Sequence, residues 1–227
     1  MNIDNFWIKQ SKLVEWYKKP SIAFKKKKNN FVDWFPDGKI NIYYNCITKN
    51  LKLNLGEKIA IYFVNDKKEI LSYTYKDLGN KIEYFSSIIL KKFKNKEISN
   101  KKIIIHSSAS LEAAVSMLAC AKMGIHFSVI FEDLAPEAIS KRISLLKPDL
   151  LISRFNKKKF NDQILTKIKV NNKMKFLFFG NENYFDNVKI IKKNLNNNFS
   201  SNKEFFTLFT SGSTGIPKGI VHATGGY

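Results

Sequence analysis

The chain has 227 residues, 44% of them hydrophobic, so it can bury a sizeable core as one large domain or two small ones. Its net charge of +20 comes almost entirely from lysine. Arginine, which proteins use most often to recognise nucleic-acid phosphates and bases, occurs only at Arg142 and Arg154. The sequence lacks both an unbroken apolar run long enough for a membrane span and a signal-like start. We therefore predict that the protein binds neither nucleic acid nor a membrane.

The cysteines and histidines indicate no metal site. Cys46 and Cys120 are far apart and match neither a ligand spacing nor a disulfide framework. His106 and His126 are isolated and are expected to be packing or strand-end residues, whereas His222 follows a polar loop and is a candidate for lining a binding site. We expect a cytoplasmic protein because a reducing compartment suits unpaired cysteines.

The N-terminal residues 1–52 are aromatic and irregular, with Pro20, Pro36 and Gly38 as punctuation. They predict a segment that wraps around a larger body, with one short helix near residues 6–16. The lysine run at residues 25–28 is expected to be a loop.

We predict that residues 53–227 form the main domain. The stretches KIAIYFV and EILSYTY predict a β-hairpin, and Thr74 stands at capping-box spacing from Asp77. Apolar residues then recur at helical intervals over residues 75–93.

Short apolar strands and helices alternate in the next part of the chain. The predicted strands are KKIIIHSS, HFSVIF, DLLIS, KFLFFG and EFFTLFT; the predicted helices cover residues 111–123, ended by Gly124, and 136–146. This alternation predicts an α/β fold with a parallel sheet covered on both faces. We expect loops at residues 157–159, and an exposed, poorly ordered insertion at residues 181–203.

A polar loop follows the last predicted strand. Thr210, Ser211, Ser213 and Thr214 offer hydroxyls, Gly212 and Gly215 let backbone amides approach a ligand, and Lys218 adds a positive charge. Ligands of parallel sheets lie beyond the carboxyl ends of strands, which is where this loop falls. The pattern predicts a phosphate-binding site.

The stretch TSGSTGIPKGIVHATGGY resembles the phosphate-binding signature of the AMP-forming acyl-CoA synthetases, in the adenylate-forming superfamily. Its end, HATGGY, resembles the acetyl- and propionyl-CoA synthetase branch, as do WFPDGKINIYYNC and LSYTYKDL. The resemblance implies ATP, Mg²⁺ and coenzyme A as reactants, and acetate or propionate as the acid that is activated through acyl-AMP. It places the β- and γ-phosphates of ATP on residues 210–215 and Lys218.

The same resemblance makes residues 1–52 an acetyl-CoA synthetase-type N-terminal segment and residues 53–227 a truncated synthetase domain. It implies that Arg154, Lys157 and Lys158 are candidates for binding coenzyme A. Contacts to adenine, Mg²⁺ and the hinge lie downstream in this family, so we expect an incomplete, layered adenylate-forming domain that is inactive by itself. The chain is expected to end inside a helix that follows the loop.

One departure concerns the acyl acceptor. Short-chain members of the family carry Gly-Gly-Phe where this sequence has Glu132, Asp133 and Leu134, and carboxylates near phosphates repel them. Either the acceptor or the local backbone differs. The alternatives are therefore a diverged ligase with another acceptor, or a non-catalytic remnant.

Overall fold

The computed structural model describes residues 2–28, 31–65, 67–94, 98–179, 198–210 and 217–226. Helix α1 (Ile3–Gln10) begins and ends earlier than predicted and continues into a 3-10 turn, Ser11–Leu13. Strands β1 (Phe24–Lys26) and β2 (Val32–Trp34) form an antiparallel pair, so the loop predicted at residues 25–28 is wrong for its first two lysines. Lys25 and Lys26 stay exposed on this edge strand, as solvated charge does on β-edges.

Aromatic side chains hold the N-terminal segment together. The rings of Trp7 and Trp34 meet edge to face at 5.0 Å, and those of Trp16 and Phe35 at 5.3 Å. The segment continues through β3 (Lys39–Ile40), a π-helix at Tyr44–Thr48 and α2 (Lys49–Lys52). Ile47 is 1% exposed and joins the main core, so this segment packs on the larger body as predicted.

The predicted hairpin and long helix are confirmed. Strands β4 (Ile59–Val64) and β5 (Ile70–Thr74) pair antiparallel, and helix α3 (Tyr75–Lys92) follows at once. The Thr74 hydroxyl accepts from the Asp77 amide, and the Asp77 carboxylate accepts from the Thr74 amide, which completes the capping box.

A six-stranded sheet forms the centre of the described fold. Its strands are β6 (Lys102–His106), β7 (His126–Ile130), β8 (Leu150–Ser153), β9 (Lys175–Phe178), β11 (Glu204–Thr210) and β12 (Lys218–Ala223). They are ordered β12-β11-β7-β6-β8-β9, and all pairs except β11–β12 are parallel. Helices α4 (Leu111–Met123), α5 (Pro136–Leu146) and α6 (Lys157–Gln163) connect consecutive parallel strands.

The central strands of the sheet are covered on both faces, as their apolar sequences predicted. Ile103 and Ile105 pack into one hydrophobic cluster with α3 and α4. Ile104, between them, points to the opposite face and packs with α5 and α6. Each of these isoleucines is at most 1% exposed, which corresponds to roughly 2 kcal/mol of burial per side chain.

The helix expected after the polar loop is instead strand β12. Thr210 pairs with Lys218 and Phe209 with Gly219 in the antiparallel ladder. The free edge of β11 offers backbone partners to this segment, and its β-branched Ile220 and Val221 suit a strand. The sheet is therefore mixed and not purely parallel.

Helix α6 likewise replaces the loop predicted at residues 157–159. Asn156 caps it, since the Asn156 side chain accepts from the amide of Lys159. Most of the insertion predicted at residues 181–203 lies outside the described residues. Its last part is packed: β10 (Phe199–Ser200) pairs with β3, and Ser201 is fully buried, so the expectation of exposure is wrong there.

Candidate functional site

The carboxyl edge of the sheet gathers the candidate functional residues. Strands β6, β7, β8 and β11 run parallel, so their carboxyl ends share this edge. The chain leaves β6 toward α4 on one face and leaves β8 toward α6 on the other. Neighbouring strands whose connections diverge in this way leave a crevice, which is the usual ligand site of open α/β sheets.

The two ends of the polar loop lie at this edge. Thr210 and Lys218 oppose each other in the β11–β12 ladder, and the Thr210 hydroxyl donates to the Lys218 carbonyl over 3.4 Å. Both residues are exposed. The other predicted phosphate-binding residues, Ser211, Gly212, Ser213, Thr214 and Gly215, lie outside the described residues.

A second polar group lies where β6, β7 and β8 end. The Glu132 Oε1 atom accepts hydrogen bonds from the Ser108 hydroxyl at 3.1 Å and from Arg154 Nη1 at 3.2 Å. Arg154 Nη1 also lies 3.3 Å from the Ser108 hydroxyl oxygen. We call Ser108, Glu132 and Arg154 the edge cluster. Its members follow strands that lie one (β7), two (β6) and three (β8) places from β11, so they stand roughly 5 to 14 Å along the sheet from Thr210.

His106 is the last residue of β6, and its carbonyl accepts a hydrogen bond from the backbone amide of Arg154 in the edge cluster. It is 0% exposed, its Nδ1 lies 2.9 Å from the Ser153 hydroxyl, and its ring meets Phe155 and Phe160 edge to face. Burial lowers the pKa of His106 to about 4, and the charge of Glu132 opposes this shift only in part. The imidazole is therefore neutral at physiological pH, in agreement with the packing role predicted for it.

The three residues predicted to bind coenzyme A have different environments. Arg154 belongs to the edge cluster, with its backbone amide bonded to the His106 carbonyl at 3.0 Å. Lys157 and Lys158 lie exposed on the first turn of α6. Lys159, which follows them, places its ammonium 3.8 Å from the centre of the Phe155 ring.

Sequence reasoning missed Ser108 and Ser153. Each follows or ends a predicted strand, and a hydroxyl at a carboxyl edge is a signal that could have been used. His126 is buried at the amino end of β7, at the opposite edge, with Nε2 2.8 Å from the Thr207 hydroxyl oxygen. His222 lies on β12 opposite Phe206, and its ring stacks on the Phe206 ring at 4.5 Å. Its place in a binding site stays a prediction.

In the part of the chain that the structure describes, no group of three His, Cys, Asp or Glu side chains is placed to bind a metal ion. None of the described helices combines the length and apolarity that crossing a membrane requires.

Sequence comparison assigns the chain to a family. The profile of AMP-binding enzymes matches residues 52–227, and that of the acetyl-coenzyme A synthetase N-terminus matches residues 1–46. The chain therefore belongs to the AMP-binding enzyme family, as its loop and strand pattern indicated.

Two curated relatives of the chain are acetyl-coenzyme A synthetases. An acetyl-coenzyme A synthetase of Leptospira biflexa is 34% identical over 99% of this chain and 38% of its own length. One from Yersinia pestis is 31% identical over the whole chain and 38% of its own length. The chain thus spans about 38% of the length of these curated relatives.

A solved structure confirms the fold class. The acetoacetyl-CoA synthetase from Streptomyces lividans superposes with a TM-score of 0.75 over 99% of this chain and 37% of that protein. Only 15% of the aligned residues are identical, so this likeness bears on the fold alone. The fold is that of the adenylate-forming acyl-CoA synthetases.

Proposed function

We propose that this chain carries the phosphate-binding part of an AMP-forming ligase that activates acetate or propionate. The observation that carries the proposal is the position of Thr210 and Lys218 at the carboxyl edge of the sheet, on either side of the TSGSTGIPKG loop. The match to the AMP-binding family supports it.

The proposed reaction has two steps. A carboxylate oxygen attacks the α-phosphorus of ATP, the bond to the β-phosphate breaks, and acyl-AMP and pyrophosphate form. The sulfur of coenzyme A then attacks the acyl carbon, its proton is lost, and AMP leaves. Charge on the departing pyrophosphate is the main electrostatic demand, which donors already held in place meet best.

The loop residues have a defined role in this scheme. Thr210, Ser211, Ser213 and Thr214 would donate hydroxyl hydrogen bonds to the β- and γ-phosphates, and Gly212 and Gly215 would let amides approach them. Lys218 would add a point charge. Mg²⁺ would neutralise further charge while bound to the phosphates and to water, as it prefers.

In the second step, the acyl acceptor would be bound by the side chains of Arg154, Lys157 and Lys158. Their charges suit a phosphate of coenzyme A. The pairing of Arg154 with Glu132 favours a second candidate function, a ligase with a different acyl acceptor, because this guanidinium already has an anionic partner.

Lysine substitution tests the phosphate site. Lys218→Ala should weaken binding of Mg·ATP roughly tenfold or more, because a charged partner of the phosphates is removed. Lys173→Ala is the matched control, since Lys173 is also exposed but lies just before β9, at the amino edge of the sheet. Calorimetric titration of both variants measures this, and equal affinities would refute the assignment of Lys218.

The acid substrate needs a separate assay. In a ligase that contains this chain together with the remaining length of its relatives, ATP–pyrophosphate exchange with acetate and with propionate reports the first step, and formation of acyl-CoA reports the second. Exchange without acyl-CoA would favour the second candidate function. We expect the 227-residue chain to show neither activity alone, and measurable turnover would contradict that expectation.

A further inference from the structure

The amino edge of the sheet, opposite the candidate functional site, holds a small basic cavity. Strand β6 spans five residues, so the two edges are roughly 16 Å apart. The cavity has a volume of about 250 Å³ and lies where β6, β7 and β11 begin. Its lining residues include Ser99, Lys101, Lys102, His126, Lys203 and Glu204. We call it the amino-edge cavity, and it shares no residue with the edge cluster or with the ends of the polar loop.

Two lysines of the amino-edge cavity are held in place by the protein. The Lys101 ammonium lies 2.7 Å from Asp149 Oδ1, and the Lys203 ammonium donates to the Ser99 carbonyl over 3.1 Å. An ammonium has three N–H donors, so each of these two keeps donors for a ligand. Side chains that are already fixed lose little conformational entropy when they bind one.

The third lysine, Lys102, has no such partner. It is partly buried, and its ammonium makes no hydrogen bond or ion pair with the described residues, although its backbone amide donates to Asp149 Oδ2 at 3.0 Å. Withdrawing an ammonium from water without giving it a partner is unfavourable. An anion in the cavity would supply the missing partner.

The charges around the amino-edge cavity leave it positive. Against its three ammoniums stand two carboxylates of the described residues: Glu204, which is 61% exposed, and Asp149, which pairs with Lys101. His126 is mostly uncharged at physiological pH, because burial lowers its pKa. The cavity therefore attracts an anion, and the net charge of +20 on the chain adds to this attraction.

We propose that the amino-edge cavity binds a small anion that carries a phosphate group, with Lys102 and Lys203 as its main contacts and Lys101 beside them. Lysine suits this group because its point charge can approach any of the several phosphate oxygens. A planar carboxylate is matched best by the fork of arginine, which no described residue of the cavity supplies. The inference does not depend on the proposed function, since the phosphates of ATP are assigned to the opposite edge.

His126 is a reporter in the wall of the cavity. It is 6% exposed and its Nε2 atom faces the Thr207 hydroxyl, so the anion is not expected to touch the ring nitrogens. Burial lowers the pKa of His126, the charge of Glu204 opposes this shift, and Lys102 and Lys203 add to it. A phosphate between the two lysines should raise the pKa of His126, since a negative charge stabilises the imidazolium.

Proton NMR of the histidine rings tests the inference, because the chain has only three histidines. The chain is titrated with potassium phosphate in place of potassium chloride, at fixed pH and ionic strength, and the signals missing in His126→Asn identify the His126 resonances. We expect these resonances to shift saturably, with a dissociation constant on the order of 1 mM. Potassium acetate should leave them in place. His106 ends β6 at the other edge, so binding there would be seen in its resonances instead.

Lys102→Gln should weaken this response to phosphate about tenfold, because it removes the unpaired charge and keeps most of the side-chain length. Lys173→Gln is the matched control, because Lys173 is exposed just before β9, at the same edge but outside the cavity. It should change the dissociation constant by less than about twofold, since a distant exposed charge is screened. Far-ultraviolet circular dichroism of both variants checks that the fold is retained.

Any of three results would overturn the inference. His126 resonances that stay in place throughout the phosphate titration would mean that the cavity binds no phosphate. An equal response to acetate would mean that the cavity does not prefer a phosphate group. Equal weakening by Lys102→Gln and Lys173→Gln would mean that the overall charge of the chain, and not the cavity, attracts the anion. The proposed function would stand in each case, because it concerns the other edge of the sheet.

Discussion

The middle of the six-stranded sheet and its β11–β12 side are built differently. Strands β6 and β8 are buried on both faces: Ile103 and Leu150 on one face and Ile104 and Leu151 on the other are all 0% exposed. On the other side, Leu208 of β11 is 48% exposed, and Ile220 and Val221 of β12 are each 50% exposed. The edge cluster is therefore held by the most stable strands, whereas the ends of the polar loop are carried by a more lightly covered pair.

This difference matters for local stability. The contacts among Ser108, Glu132 and Arg154 follow strands that are fixed by packing, whereas elements with few buried contacts, such as β12, open most readily. The contrast leads to three predictions about stability, from the largest effect to the smallest.

Matched isoleucine substitutions test the contrast directly. Ile104→Ala should lower the free energy of unfolding by about 2–5 kcal/mol, because it leaves a cavity between the sheet and α5. Ile220→Ala removes the same atoms from a half-exposed site and should cost less than about 1 kcal/mol. Urea denaturation measures both. Equal losses would mean that β12 is as tightly packed as β6.

The pH dependence of the free energy of unfolding tests how completely the central strands exclude solvent from His106. The pKa of His106 is lowered to about 4 from 6.5, so the unfolded chain takes up a proton that the folded chain refuses. Stability should fall as the pH drops from 6.5 toward 4, by roughly 3 kcal/mol in total from this residue.

His106→Asn should flatten this part of the pH profile, whatever its own effect on stability at neutral pH. The carboxylates and His126, whose pKa burial also lowers, remain in both proteins, so the difference between the two profiles isolates His106. Identical profiles would show that His106 accepts a proton in the folded state.

Two glycines give the smallest predicted effect. Gly124 ends α4 with φ +65°, and an added Cβ would lie 2.4 Å from the Phe199 ring, so Gly124→Ala should cost about 1–3 kcal/mol. At Gly56 the nearest atom to such a Cβ is 3.6 Å away, so Gly56→Ala should be close to neutral. Thermal denaturation compares them, and a neutral Gly124→Ala would mean that Phe199 is not held against α4.

The central strands could be predicted because their signal is local. An apolar run such as IIIH between two helical patterns has few other interpretations, and both ends of α4 carry their capping residues. Strand β12 could not be predicted in this way. The stretch KGIVHA is too short to separate helix from strand, and its pairing depends on the free edge of β11.

The candidate site shows the same limit. Sequence placed Thr210 and Lys218 on either side of a loop at a strand end, and their roles stay predictions. The edge cluster joins Ser108, Glu132 and Arg154 from three separate strand ends, with a separation of 46 residues between the first and the last. Sequence can place such residues on one edge, but only packing decides that Glu132 turns inward and Asp133 outward.

The burial of Ser201 has a consequence for the order of folding. Its hydroxyl donates to the Phe35 carbonyl, 166 residues earlier in the chain, and β10 beside it pairs with β3. Contacts so distant in sequence form late, since a long loop must close before they are gained. During synthesis the Phe35 region is therefore made long before its partner Ser201, and this contact cannot form until the strands up to β10 have been added.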